Sequence, residues 1–275
     1  MAENIKMVKT RKIKVIVLRT AGTNNDYETA HAFKTVGARV NLVHINELFK
    51  GEEKLTNFDI LAIPGGFSYG DDIAAGKIFA NELKYKLYSQ IKDFTEKGKL
   101  AIGICNGFQV LIKAGLLPGI NGIDKAQSTT LTFNDSGKFE CRWVHLKRVN
   151  SGKCFFTRDL PDKIYLPVAH AEGKFMTKDN GILKTLEENG QIVFKYVDEE
   201  GKEAGYPFNP NGSVGDVAAI CNSQGNILGM MPHPERFIVP YNHPHWTRRE
   251  GTSPSPTEDG DGLAIFKNAI KYAMT

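Results

Sequence analysis

Long apolar runs are missing from this chain of 275 residues, and none approaches the ~20 residues that a membrane-spanning helix needs. The N-terminus, Met1 to Lys14, is polar and lysine-rich and lacks the apolar stretch of a secretory signal, so a cytoplasmic protein is expected. No block of Lys or Arg stands out and the formal net charge is only +4. Nucleic-acid binding wants a basic stripe, so no nucleic-acid partner is expected, and no membrane. Cysteine is scarce. The four residues, Cys105, Cys141, Cys154 and Cys221, form no Cys-x-x-Cys pair, and a reducing compartment disfavours structural disulfides. Cys141, Cys154 and Cys221 sit in apolar or strand-like contexts and read as packing residues. A phosphate-binding loop of the Gly-x4-Gly-Lys-Ser/Thr type is absent. No metal-ligand cluster is evident: His243-Pro244-His245 could offer two ligands but reads as loop, so no metal is expected. What remains, 41% hydrophobic and 24% charged, is an ordinary globular composition long enough to bury a full core.

The first part of the chain alternates strands with helices. Lys12–Leu18 is a near-continuous apolar strand, followed by the polar turn Ala21–Asn25 and a helix from Tyr27 to Val36 that stops at Gly37. Arg39–Val43 and Phe58–Ile63 are further strands, the latter ending in Pro64-Gly65-Gly66, and residues 99–104 make a fourth. Apolar strands separated by helices imply a parallel sheet covered on both faces, with the ligand crevice at the carboxyl ends of the strands. From about residue 130 the texture becomes β-rich, with candidate strands at 139–149, 163–168, 191–197, 216–220 and 226–231. Residues 241–262 read as a long loop, and Leu263 to Met274 as an amphipathic helix. One domain over 1–275 is expected: a βα-alternating part at 12–120, and a β-rich part with loop and closing helix at 130–275.

Gly103-Ile104-Cys105-Asn106-Gly107 stands between the fourth strand and a segment, 108–116, of helical apolar spacing. A nucleophile flanked by glycines at a strand-to-helix junction is the pattern of a nucleophile elbow, here with Cys. The glycines are expected because the turn is tight and its backbone angles strained. At a helix N-terminus, free N–H groups and the dipole favour a thiolate. A thiolate nucleophile needs a proton manager and an orienting group, and Pro232-His233-Pro234-Glu235 offers an imidazole and a carboxylate stiffened by prolines. Alone, His-x-Glu would read as a surface turn; paired with an elbow cysteine it reads as Cys105–His233–Glu235. Oxyanion donors would be the N–H of Asn106 and the backbone at Gly65-Gly66. Gln109, one helical turn after Cys105, faces the same way and could bind a polar substrate.

Gly-Ile-Cys-Asn-Gly-Phe-Gln at 103–109 and the Pro-His-Pro-Glu motif resemble the class I, triad-type glutamine amidotransferase domain. Leu18–Asn24, Pro64–Asp72, Cys141-Arg142-Trp143-Val144 and Ala169-His170-Ala171-Glu172-Gly173 are similar to one branch of it. That branch is the glutaminase subunits of phosphoribosylformylglycinamidine synthase, and the resemblance runs from about residue 12 to the C-terminus. It implies an α/β fold with a central mostly parallel sheet flanked by helices and an added β-rich portion. It implies Cys105 as nucleophile, His233 as base and acid, Glu235 as its orienter, and an oxyanion hole at Gly66 and Asn106. Gly65, Gln109, Arg142 and Trp143 would help hold glutamine. His170 and Glu172 belong to the family-specific segment without an assigned role. Where family members often read Gly-Thr-Asn-Cys, this chain has Gly22-Thr23-Asn24-Asn25, a position expected to lie outside the triad.

The resemblance further implies glutamine hydrolysis through a cysteine thioester, with ammonia delivered to a large synthetase subunit that makes formylglycinamidine ribonucleotide. A small accessory subunit would join them. ATP and Mg would act on the synthetase, leaving this chain without a cofactor. The alternatives are the glutaminase of another amidotransferase, a PfpI-type cysteine hydrolase, or a non-catalytic scaffold. The Phe-Ser-Tyr-Gly-Asp-Asp and His-Ala-Glu-Gly segments weigh against the first. Pro-His-Pro-Glu weighs against the second, and the retention of both Cys105 and His233 against the third.

Overall fold

The computed structural model describes residues 11–120, 122–123, 127–150, 152–248 and 258–275. In chain order the elements are β1 (Lys14–Arg19), α1 (Asp26–Thr35), β2 (Arg39–His44), α2 (Ile45–Phe49), β3 (Ile60–Ile63), α3 (Lys77–Glu82), a π turn (Leu83–Leu87) and α4 (Tyr88–Glu96). Next come β4 (Leu100–Ile104), α5 (Asn106–Lys113), β5 (Thr129–Thr132), β6 (Glu140–Arg148), β7 (Lys163–His170), β8 (Lys174–Thr177) and α6 (Asn180–Glu188). The chain finishes with β9 (Ile192–Val197), β10 (Val217–Cys221), β11 (Ile227–Met230) and α7 (Leu263–Ala273).

Nine strands form one sheet in the order β2-β1-β3-β4-β11-β10-β9-β6-β7. The first five run parallel. From β11 onward every neighbour is antiparallel. The apolar runs mark only part of this division, because β11, from the β-rich part, completes the parallel half and antiparallel β10 is also buried throughout. Ile60–Ile63 and Leu100–Ile104 are buried at every position, as strands covered on both faces must be. β7 instead alternates buried and half-exposed residues, the mark of a sheet with one open face. β5 and β8 pair into a separate two-stranded ribbon.

α5 is buried at all eight positions. It lies against β4, and Phe108 stacks on Phe175 of β8 at 6.5 Å. Its packing also consumes glycine: a Cβ on Gly229 would stand 2.1 Å from the Phe108 ring. α7 docks on α1 through the edge-to-face pair Phe33–Phe266, both fully buried, at 4.9 Å. The stretch 241–262 holds short helical turns at Pro240–Asn242 and Trp246–Arg248, and residues 249–257 of it lie outside the described residues. Among the described residues no helix is long and apolar enough to cross a membrane. Of the three cysteines expected to pack, Cys154 and Cys221 are buried, but Cys141 is exposed. The pleat of β6 turns Glu140, not Cys141, into the protein.

Candidate active site

Parallel pairing aligns carboxyl ends, and here it brings three of them together. Ile63 of β3 pairs with Gly103 of β4, and Met230 of β11 with Ile104. The residues that follow these strands, Gly65, Cys105 and His233, therefore share one spot. The contacts show how tightly: a Cβ on Gly65 would lie 2.9 Å from His233 Cε1 and 3.4 Å from Cys105 Cβ. Cys105 N donates to Met230 O at 2.7 Å, fixing the turn to β11.

The elbow strain sits on the nucleophile itself. Cys105 has φ 52° and ψ −107°, a region costly for an L side chain, whereas Gly103 and Gly107 do not have positive φ. The expectation that the glycines absorb strained angles is corrected accordingly. They are there for close approach: a Cβ on Gly103 would meet Gly107 O at 2.5 Å, and one on Gly107 would meet Ile63 O at 1.9 Å. Cys105 is almost wholly buried, and its Sγ points to Ala169 O at 3.6 Å.

His233 and Glu235 form a buried pair, Nδ1 to Oε1 at 2.7 Å. His233 N donates to Pro167 O at 2.8 Å, so the sheet curls its last strand back onto the histidine. Burial alone disfavours an imidazolium here. The Glu235 carboxylate and the Cys105 sulfur outweigh it and raise the His233 pKa to about 10. That direction favours the imidazolium, which puts Nδ1–H on Glu235 and leaves Nε2–H to face the nucleophile. Nε2 has no hydrogen-bond partner in this state, nor does Glu235 Oε2.

Asn106 begins α5, where first-turn amides have no intrahelical acceptor. Its side chain is fully engaged: Oδ1 accepts from Ser68 Oγ at 2.6 Å, and Nδ2 donates to Asp71 Oδ1 and Gln109 Oε1, each at 3.0 Å. The Ser68–Asp71 segment is thus bolted to the elbow. Gly66, at φ 135°, has no room for a side chain, since a Cβ would stand 2.6 Å from Asn24 Oδ1. Gln109 is not free either, because Nε2 donates to Glu172 O at 2.6 Å. Glu172 in turn accepts from Ala75 N at 3.3 Å and lies 3.9 Å from Lys113 Nζ.

Gly66, Asp71, Cys105, Gln109, His170 and Glu172 line a cavity of about 40 Å³ at the sulfur. Ligand sites usually need ~300–1,000 Å³, so the cavity admits water and not a whole amino acid. Arg142 and Trp143 are not brought to it. Arg142 is bound to Glu140 and to Tyr206 Oη (2.9 Å). Trp143 packs in an aromatic cluster with Tyr165 at 5.2 Å, Phe237 at 5.4 Å and His243 at 5.9 Å. Among the described residues no group of three His, Cys, Asp or Glu side chains could hold a metal ion.

Two residues gain a setting that the sequence did not give them. His170 lies in a buried network: Nδ1 faces Asn134 Oδ1 at 3.2 Å and Nε2 faces Asn211 Nδ2 at 3.5 Å. Burial, with His233 adding to it, lowers its pKa to about 3, so it is neutral. Asn25, expected to lie outside the triad, reaches it: Nδ2 is 3.4 Å from Glu235 Oε1 and 3.5 Å from His233 Nδ1. In the sequence this position stood only in a polar turn and as the departure from the family's Gly-Thr-Asn-Cys, and its inward turn depends on the strand ends meeting.

Residues 12–273 match the family model of the CobB/CobQ-like glutamine amidotransferase domain. The chain is 47% identical to the phosphoribosylformylglycinamidine synthase subunit PurQ of Dehalococcoides mccartyi, over 95% of this chain and 98% of that protein. It is 44% identical to the PurQ subunit of Archaeoglobus fulgidus, over 95% and 97% of the two chains. Among solved structures it is similar to a chain of PurLQS from Thermotoga maritima, with a TM-score of 0.71 and 31% identity over 95% and 99% of the two chains.

Proposed function

The chain belongs to the family of CobB/CobQ-like glutamine amidotransferase domains, together with the PurQ subunits of phosphoribosylformylglycinamidine synthase, and from that premise we propose how its site works. It hydrolyses glutamine to glutamate and ammonia. It delivers the ammonia to a large synthetase subunit that makes formylglycinamidine ribonucleotide in purine biosynthesis, with a small accessory subunit in the same complex. The observation that carries this reading is the convergence of Cys105 with the His233–Glu235 pair at the carboxyl ends of β4 and β11.

Cys105 Sγ attacks the carboxamide carbon, forming the S–C bond and a tetrahedral oxyanion. Backbone N–H groups at Gly66 and Asn106 receive that oxyanion. The imidazolium of His233 passes its Nε2 proton to the departing nitrogen, the C–N bond breaks, and ammonia leaves. His233, now neutral, takes a proton from water, whose oxygen attacks the thioester. Glutamate departs and the sulfur is restored. Glu235 holds the ring so that Nε2 faces the sulfur throughout. Gly65 supplies backbone beside the bound glutamine.

A cavity this small implies a low basal rate in the isolated chain, raised when docking of the synthetase moves the Asp71–Gln109–Glu172 network and admits glutamine. ATP and Mg act on the synthetase, residues 1–275 work as one amidotransferase domain, and the complex is cytoplasmic. Glutamate release from glutamine tests the reading, with wild type beside Cys105→Ala, with and without the synthetase subunit. Turnover that needs both Cys105 and the synthetase supports it. Equal rates with and without the partner, or turnover by Cys105→Ala, would count against it.

A further inference from the structure

Asn25 occupies the N-cap of α1, yet its side chain makes no cap hydrogen bond. Asparagine at this position ordinarily turns back onto the N–H of the first helical turn, which stabilises a helix by about 1 kcal/mol. Here that stabilisation is forgone. The side chain is 3% exposed, and its Nδ2 donates to Glu28 Oε2 at 2.8 Å and approaches Glu235 Oε1 at 3.4 Å. Glu28 Oε2 also accepts from Arg236 Nε at 3.1 Å. The amide has two hydrogens, so one is directed at Glu28 and the other is left for the dyad. His233 Nδ1 carries its own hydrogen toward Glu235, so the amide hydrogen can only go to the carboxylate oxygen. The backbone is pinned as well: Asn25 N donates to Gly65 O at 3.3 Å, and Thr29 N and Oγ1 both donate to Asn25 O, at 3.0 and 2.8 Å.

We infer that Asn25 is a positioning residue for the reaction, holding the Glu235 carboxylate in the plane that orients His233, and is itself held by Glu28 and Arg236. The inference rests on the glutaminase reading above. Glu235 Oε2 has no partner, so the Asn25 amide and the His233 ring are what fix this carboxylate inside the protein. Asn25 does not line the cavity at the sulfur, and KM for glutamine reads whether it touches the substrate. The charged and titratable groups facing the dyad are Cys105 from the elbow, His170 from β7, Glu28 and His31 from α1, and Arg236 from its own turn. Asp26, next on α1, is taken up by Arg19 at 3.3 Å.

The test uses Asn25→Ala and the isosteric Asn25→Asp in the complex with the synthetase, with wild type alongside. A hydrogen bond to a charged group is worth a factor of about 10 to 100, so kcat should fall by that much while KM for glutamine holds. Asn25→Asp should fall further, because it keeps the shape and replaces the donor with a negative charge. In the isolated chain, alkylation of the Cys105 peptide by iodoacetamide, followed by mass spectrometry, reads the Cys105–His233 pair without glutamine. Its pH profile should move upward in Asn25→Asp and keep the wild-type position in Glu52→Gln, a surface control. An Asn25→Asp variant with wild-type kcat and an unshifted alkylation profile overturns the inference. So do equal losses in both variants with an unshifted profile, because they would mean that Asn25 only fills space. Failure of the glutaminase reading looks different: the wild-type complex then releases no glutamate, while the alkylation profiles still decide the role of Asn25.

Discussion

Gly107→Ala separates the catalytic geometry from the stability of the fold. The added methyl would stand 1.9 Å from Ile63 O and 2.7 Å from Ile63 C, and real Cβ atoms essentially never come within 3.0 Å of such neighbours. Both contacts are backbone, so α5 or β3 must retreat by about 1 Å, a displacement that can cost ~10²-fold in rate when it misplaces a reacting group. The stability effect is smaller because two contributions oppose each other. Overpacking costs about 1–3 kcal/mol, while alanine in a helix gains about 1 kcal/mol over glycine. The net loss is about 0–2 kcal/mol, or roughly 0–8 °C in Tm. The assay is glutamate release by the complex beside thermal unfolding of the chain. A Gly107→Ala protein with wild-type kcat would refute the claim that the elbow glycine exists for close approach to β3.

Glu235→Gln should lower kcat by about 10²–10⁴-fold with little change in KM, since the amide can no longer favour the useful ring state; steady-state kinetics of the complex check it. The buried His170 should make the chain acid-labile. Its folded pKa lies below its unfolded value, so its stabilising contribution is present above pH ~6.5 and is lost as pH falls toward 3. Between pH 7.5 and pH 5 the loss is about 2 kcal/mol, and urea unfolding of wild type and His170→Gln at the two pH values should show it in the former only. His233 has the opposite sign: with its pKa raised to about 10, its contribution is whole below pH ~6.5 and disappears as pH rises through 10. Phe266→Ala should cost about 3–5 kcal/mol in denaturant unfolding, because both rings of the Phe33 pair are fully buried.

The parallel half of the sheet was legible because covered strands must be apolar throughout, and 60–63 and 100–104 have that character. The helical segment 77–96 was not read, although its buried residues Phe79, Leu83, Leu87, Ile91 and Phe94 keep helical spacing through the π turn at Leu83–Leu87. β5 and β8 are four residues each, too short for alternation to speak. In the site, Cys105, His233 and Glu235 could be named from motifs, and strand register explains why they meet. The engagement of Asn25 could not be, because it depends on how α1 enters beside the Pro234–Arg236 turn. Nor could the separation of Arg142 from the sulfur, which follows from the partners Glu140 and Tyr206 offered by β6 itself and a distant loop.

The most direct measurement is acid quenching of the complex during glutamine turnover, followed by mass spectrometry of the Cys105 peptide. A γ-glutamyl group on Cys105, absent from Cys105→Ala, is the predicted result. Steady turnover with no label on Cys105, or with label on Cys141, would contradict the account.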